Sequence, residues 1–230
     1  MAGLSPSEKI HMGFIGVGGM GTNRLKQFMR HEDVAIGAIC DVDQGHLDRA
    51  VAEVEKRKGY KPKRYRDFRQ LLDRNDLDAV VVVTPDHWHA LPFIRACEAG
   101  CDVFVEKPLS YSIGEGRAML NAANKHKRIT QLGNHIHNEY PNYRRVVEMV
   151  RSGHLGDITK VHCWRQPSNK GIGNPPNAQP PKDLDYDFWL GPAPKRPYNE
   201  NRSHFNFRYF WDYSGGSFID FWCHITDVVY

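Results

Sequence analysis

The stretch that most constrains the fold is IHMGFIGVGGMG, residues 10–21, read together with the AICDVD run that follows at residues 38–43. An apolar strand runs into Gly16, Gly18 and Gly21 at the G-x-G-x-x-G spacing. Asp41 ends the next apolar run about 20 residues on, the order that a dinucleotide-binding βαβ unit requires. The glycines allow a tight turn out of the strand and a close approach of backbone to a pyrophosphate. The N–H groups and dipole of the helix that opens at Gly19 attract an anion, so Gly16, Val17, Gly18, Gly19, Met20 and Gly21 form the expected diphosphate cradle. Asp41 is placed to accept hydrogen bonds from a ribose diol and to repel a 2′-phosphate, and no Lys or Arg stands between it and His46. NAD is therefore the expected cofactor, in preference to NADP.

The rest of the first half agrees with this opening. Apolar runs at residues 10–16, 34–40, 79–83, 102–105 and 129–132 alternate with helical patterns at 19–31, 44–57, 67–74, 87–99 and 113–127. Such alternation with short loops predicts an α/β fold, a Rossmann doubly wound parallel sheet, over residues 1–133. Beyond it, residues 134–230 read as part of a second α+β domain, with a helix over 140–151, one strand over 157–165, a Pro/Gly/Asn loop over 167–181 and an aromatic-rich stretch after Trp189.

Composition narrows the partners. With 40% hydrophobic residues and a formal charge of +4 over 230 residues, the chain reads as an ordinary globular protein. Its densest basic run, residues 56–64, reads as a solvated helix end and loop, so no nucleic-acid partner is expected. The five cysteines are odd in number and lack a CxxC pair, which predicts reduced thiols in a cytoplasmic protein. Cys97 and Cys101 with His87 and His89 match no zinc spacing, and no metal is expected. The N-terminus has no apolar h-region and no run approaches the roughly 18 apolar residues of a membrane span, so no membrane partner is expected either.

Residues 84–108 carry the most specific pattern. Thr84-Pro85-Asp86-His87-Trp88-His89, then Ala96, Gly100, Val103 and Glu106-Lys107-Pro108, resemble the TPNxxHxxxxxxAxxxGxxVxxEKP motif of the glucose–fructose oxidoreductase, inositol dehydrogenase and MocA (Gfo/Idh/MocA) family, with Asp86 in place of the usual Asn. Gly215-Gly216 followed by Asp220, His224 and Asp227 resembles that family's GGxxxDxGxHxxD segment, with Trp222 where Gly is common. The resemblance implies a second domain built on a mainly antiparallel sheet. It further implies that Thr84, Pro85 and His89 border the nicotinamide side of a cofactor cleft and that Glu106 and Lys107 lie between cofactor and substrate. Asp86 offers only acceptors where the family has an amide, which alters its contact with cofactor or substrate.

Elementary geometry points the same way. Residues 84–89 and 106–108 each follow an apolar strand, and ligands bind at the carboxyl ends of the strands in an open α/β sheet. Asp220, His224 and Asp227 share one helix face at i, i+4 and i+7, while Phe218, Trp222, Ile225 and Val229 form an apolar face. The expected function is transfer of a hydride between a nicotinamide and a secondary alcohol of a sugar, polyol or related cyclic substrate. His224 is the expected base, Lys107 the group stabilising the substrate oxygen, and Asp220 the residue positioning substrate or the His224 ring. Asn134 and His137, just past a strand end, are expected substrate contacts. Two alternatives stand beside this reading: an NAD-dependent glycosidase that uses transient oxidation and elimination, and an inactive NAD-binding fragment. With one strand for the second sheet, the chain reads as C-terminally incomplete, which predicts partly exposed aromatics after Trp189 and self-association through the second domain.

Overall fold

The computed structural model describes residues 8–134, 141–164 and 171–226. Six strands, β1 (Ile10–Ile15), β2 (Val34–Cys40), β3 (Lys63–Tyr65), β4 (Ala79–Val82), β5 (Asp102–Glu106) and β6 (Thr130–Gly133), form one sheet in the order β3-β2-β1-β4-β5-β6. Every pairing is parallel, as the strand–helix alternation predicts. The crossovers carry α1 (Gly19–Phe28), α2 (Gln44–Lys58), α3 (Phe68–Leu72), α4 (Ala90–Glu98) and α5 (Ile113–His126). Val80, Val81 and Val82 have no exposed surface because helices cover both faces of the central strand. Two apolar clusters result, one on each side of the sheet: Phe14, Leu25 and Ile39 mark the first, and Leu71, Phe93 and Met119 the second.

One strand escaped the sequence reading. Lys63–Tyr65 pairs with the end of β2 inside the run expected to be loop. A three-residue, charged edge strand has no apolar periodicity to betray it, and its charges suit a sheet edge.

The second segment departs further from expectation. Residues 157–164, expected as a strand, form none, and all but one of these residues are exposed. An apolar run without a hydrogen-bonding neighbour has no ladder to join. The helix expected over 140–151 is present as α6 (Pro141–Arg151). Two more helices follow, α7 (Tyr186–Leu190) and α8 (Gly216–Thr226), with a 3₁₀ segment His204–Tyr209 between them.

This segment docks on the first domain instead of hanging free. Gln44 N donates to Asp183 O at 2.9 Å and Asp185 N to Val42 O at 3.0 Å. Leu184, Tyr186, Trp189, Leu190, Phe207 and Tyr213 pack into a third cluster, and burying each large side chain is worth about 1.5–3 kcal/mol. The expectation of exposed aromatics therefore holds only in part. Trp211 and Phe205 are 80% and 68% exposed, and Phe218 and Trp222 stack on each other at 4.9 Å on the open face of α8, but Trp189, Phe207 and Tyr213 are buried. Among the described residues no helix is long and apolar enough to cross a membrane.

Candidate cofactor cleft and active site

The sheet order reverses between β1 and β4, and there the strand ends part to leave a cleft of about 500 Å³. Gly16, Gly18, Gly19, Met20 and Gly21 line one wall, Asp41 its far end, and Thr84, Pro85, Asp86, Glu106 and Lys107 the other wall. The glycine turn is a consequence of crowding. Gly16 has φ +85°, and a Cβ on it would stand 2.6 Å from the Val83 carbonyl oxygen; a Cβ on Gly21 would stand 2.0 Å from the Gly16 oxygen. Any side chain at either place forces the turn open. Helix α1 has no side-chain cap and no acid in its first turn, so its first N–H groups are left for an anion.

Asp41 does two things at once. Its Oδ2 accepts from Val17 N at 2.7 Å and its Oδ1 from Asp43 N at 2.9 Å, so the carboxylate braces the glycine turn while facing the cleft. Val17 is therefore corrected as a cofactor contact: its N–H is taken by Asp41 and its side chain, 1% exposed, belongs to the core. On the opposite wall the Thr84 hydroxyl is buried without a partner among the described residues, as a surface awaiting a polar ligand would be. The open helix end, the acid opposite it and the orphaned hydroxyl fit a nicotinamide dinucleotide.

His89 is also corrected. It is 1% exposed and does not line the cleft; Nδ1 lies 2.6 Å from Pro108 O and Nε2 2.9 Å from Thr84 O. Its ring ties the loop after β4 to the loop after β5, so it shapes the cleft from behind. His87 is equally structural: its Nε2 and the Trp88 indole N–H both meet the Trp189 carbonyl at 2.9 Å, and burial pushes the His87 imidazole down to about 4. Both ring nitrogens of His89 and Nε2 of His87 are thus committed to carbonyls. Asp86 accepts from the Ser214 hydroxyl at 2.5 Å, and burial raises its carboxyl above the usual range although His89, Ser214 and Arg208 oppose the shift.

The Glu-Lys pair after β5 is held from two sides. Glu106 Oε1 accepts from Arg24 Nε at 2.5 Å, both side chains being nearly inaccessible, which locks β5 to the helix that carries the diphosphate cradle. Lys107 Nζ donates to Asp220 Oδ1 at 2.5 Å and to the Asp220 carbonyl at 2.9 Å. Arg208 Nε joins the same carboxylate oxygen at 3.2 Å.

His224 has a different partner from the one expected. Its Nδ1 lies 3.0 Å from Asn134 Oδ1, while Asn134 Nδ2 donates to the Cys223 carbonyl at 3.1 Å. That second bond orients the amide, so its oxygen faces the ring and His224 Nδ1 carries the proton; the lone pair of the neutral imidazole is then on Nε2. Asp220 serves Lys107, and Asn134 orients His224. Asp220, His224 and Asn134 do not themselves line the cleft, and His137 lies outside the described residues. Arg24, Arg208, His46 and His204 were missed by sequence reasoning. Arg24 lies on α1 beyond the last glycine of the motif, where the spacing specifies no residue, and Arg208 and His204 come from an aromatic stretch with no readable periodicity.

Residues 10–134 match the model described as oxidoreductase family, NAD-binding Rossmann fold, and residues 144–230 match that family's C-terminal alpha/beta domain. The chain belongs to the Gfo/Idh/MocA oxidoreductase family. Among curated relatives of this Gfo/Idh/MocA protein, an alpha-N-acetylgalactosaminidase of Shewanella oneidensis is 37% identical over 159 residues, covering 66% of this chain and 34% of the relative. A glycosyl hydrolase family 109 protein of Shewanella sp. (strain ANA-3) is 36% identical over 159 residues with the same shares. The chain thus spans about a third of the length of these relatives. Among solved structures, scyllo-inositol dehydrogenase from Lactobacillus casei with NAD(H) and scyllo-inositol superposes with TM-score 0.58 at 27% identity, covering 66% of this chain and 43% of that one. Myo-inositol 2-dehydrogenase from Lactobacillus plantarum gives TM-score 0.57 at 26% identity, with shares of 65% and 43%. The cofactor of this fold is a nicotinamide dinucleotide, as the cleft's glycine turn and acid require.

Proposed function

We propose that this Gfo/Idh/MocA protein carries out nicotinamide-dependent chemistry on a secondary alcohol of a sugar, and that its net reaction is cleavage of a glycosidic bond. The observation that carries the first part is the placement of Lys107 on the wall of the cofactor cleft with its ammonium held by Asp220, while His224, one helical turn from Asp220, is oriented by Asn134. The two curated relatives above, a galactosaminidase and a glycosyl hydrolase, support the second part.

When bound, the nicotinamide accepts and returns a hydride at the substrate carbon. The side chains handle the protons and the charge. His224 takes the hydroxyl proton as the base, its ring oriented by the contact of Nδ1 with Asn134 Oδ1. Lys107 donates a hydrogen bond to the same oxygen as negative charge develops on it, and Asp220 with Arg208 keeps the ammonium aimed. The resulting ketone acidifies the neighbouring C–H; loss of that proton expels the glycosidic group, which leaves as its alcohol, water adds across the double bond so formed, and the returned hydride restores the secondary alcohol. The open end of α1 receives the diphosphate common to both dinucleotides, and Asp41 favours NAD over NADP.

A second reading is net oxidation of a free sugar or polyol, favoured by the inositol dehydrogenase structures. A panel of aryl glycosides, sugars and inositols separates the two. Release of the aryl alcohol dependent on added NAD, without accumulation of NADH, is the expected result. NADH accumulating with a free polyol and no glycoside cleavage would establish the dehydrogenase reading instead.

A further inference from the structure

Beside Asp41, a second titratable group of side chains meets. Asp43 caps α2, accepting from His46 N at 2.9 Å through Oδ1. Its Oδ2 faces His204 Nε2 at 3.4 Å, and His46 Nδ1 lies 3.6 Å from Asp41 Oδ1. The two imidazole rings stand 4.9 Å apart, inclined at 62°, and all four side chains line the cleft.

His204 reaches this place from the second segment at a backbone cost. Its φ is +53°, and the other non-glycine residue with positive φ among the described residues, Lys127, closes α5 as a C-cap. His204 opens a 3₁₀ turn and ends no helix, so capping does not account for its conformation. Sparsely populated backbone of this kind is retained where surrounding contacts require it. Here those contacts are the His46 ring and the Asp43 carboxylate.

We propose that His46 and His204 are specificity-determining residues for the dinucleotide and that they make the choice between NAD and NADP depend on pH. With both rings neutral, neither offsets the carboxylates of Asp41 and Asp43, which repel a 2′-phosphate and exclude it. Each ring that takes up a proton offsets one carboxylate, so the excluded phosphate becomes tolerated.

The charged groups facing both rings are Asp41 after β2, Asp43 at the cap of α2 and Arg49 on α2, and each ring faces the other. Asp41 holds the His46 imidazole above its ordinary value. Burial first, then the neighbouring His46, depresses His204. Protons therefore arrive in order, at His46 first and at His204 on further acidification, since two adjacent cations repel. The net charge of the four groups passes from that of two carboxylates toward zero. At separations of about 5 Å and an effective dielectric near 20–40, one charge changes anion affinity by about tenfold or more.

This inference rests on the cofactor cleft and is independent of the substrate reading. Its test is calorimetric titration of NAD and of NADP into wild type, His46→Asn, His204→Asn and the double variant, from about pH 8 to about pH 5.5, a window that spans the ordinary imidazole range. The 2′-phosphate of NADP titrates in the same window, and the double variant reports that ligand contribution alone. The expected result is a ratio of Kd(NADP) to Kd(NAD) that falls on acidification at least about tenfold further in wild type than in the double variant, with the single variants between. If the double variant does not fold, His204→Asn, on a side chain that is 41% exposed, carries the comparison. Parallel pH profiles in wild type and variants, with NAD binding intact, would overturn the proposal alone. Absence of NAD binding by wild type at every pH would overturn it together with the assignment of the cleft.

Discussion

Breaking the Arg24–Glu106 pair is expected to cost far more than its exposed counterparts. Arg24 and Glu106 side chains are 7% and 4% exposed, and the pair joins α1 to the end of β5. Glu106→Leu takes the carboxylate away from the buried guanidinium, which also donates to Gln27 Oε1 at 2.6 Å and lies over the Phe104 ring at 5.9 Å. Removing one partner of a buried ion pair costs about 3–5 kcal/mol. For a chain of this size that corresponds to a fall in Tm of about 6–20 °C. Arg24→Met strands the carboxylate in the same way, with the Lys107 N–H at 3.2 Å as its one hydrogen-bond donor among the described residues.

The double variant Arg24→Met/Glu106→Leu removes both charges and fills the space with apolar volume. Its loss is expected to be smaller than that of either single variant, because desolvation of an ion pair roughly cancels its attraction. Thermal and urea unfolding of the four proteins yields the coupling directly. NAD titration of the same set adds a functional readout, since the pair ties the diphosphate helix to the strand that presents Lys107. Single substitutions that each cost under about 1 kcal/mol, or a double variant whose loss equals their sum, would refute the reasoning.

Three further outcomes are expected. Asp41→Ala should weaken NAD binding by about 1–3 kcal/mol in calorimetry and narrow the gap to NADP, and it should also lower Tm because the Val17 N–H loses its acceptor. His87, buried neutral, has a folded value of about 4 against 6.5, so the folded state binds fewer protons than the unfolded state between those values. Stability is thus lost as pH falls from about 6.5 to about 4, by up to about 3 kcal/mol, and a His87→Gln variant should lack that part of the slope in pH-dependent unfolding. On whichever glycoside or polyol the panel identifies, Lys107→Met and His224→Asn should each lower kcat by roughly 10²-fold or more while NAD affinity stays within a few-fold; normal turnover in either variant removes that residue from the mechanism.

Much of the fold was legible in the chain because it is written in short-range patterns. Apolar strands about five residues long alternating with amphipathic helices admit few topologies, and the glycine spacing after β1 names the turn that a dinucleotide needs. The walls of the cleft followed, since Asp41, Thr84 and Lys107 each stand directly after a strand whose carboxyl end points there. The three-residue β3 and the absent strand at 157–164 were misread for a related reason: strand formation depends on a neighbour's hydrogen bonds, which no local pattern records. What tertiary structure alone decided is the pairing within the site. Lys107 is held by a residue 113 positions away and His224 by one 90 positions away. Asp220 and His224 share a helix face, yet packing sends them to different partners. His204 comes to the acid-lined end of the cleft through an irregular, positive-φ turn, and such a placement is decided by the surroundings that hold it, not by the residues that spell it.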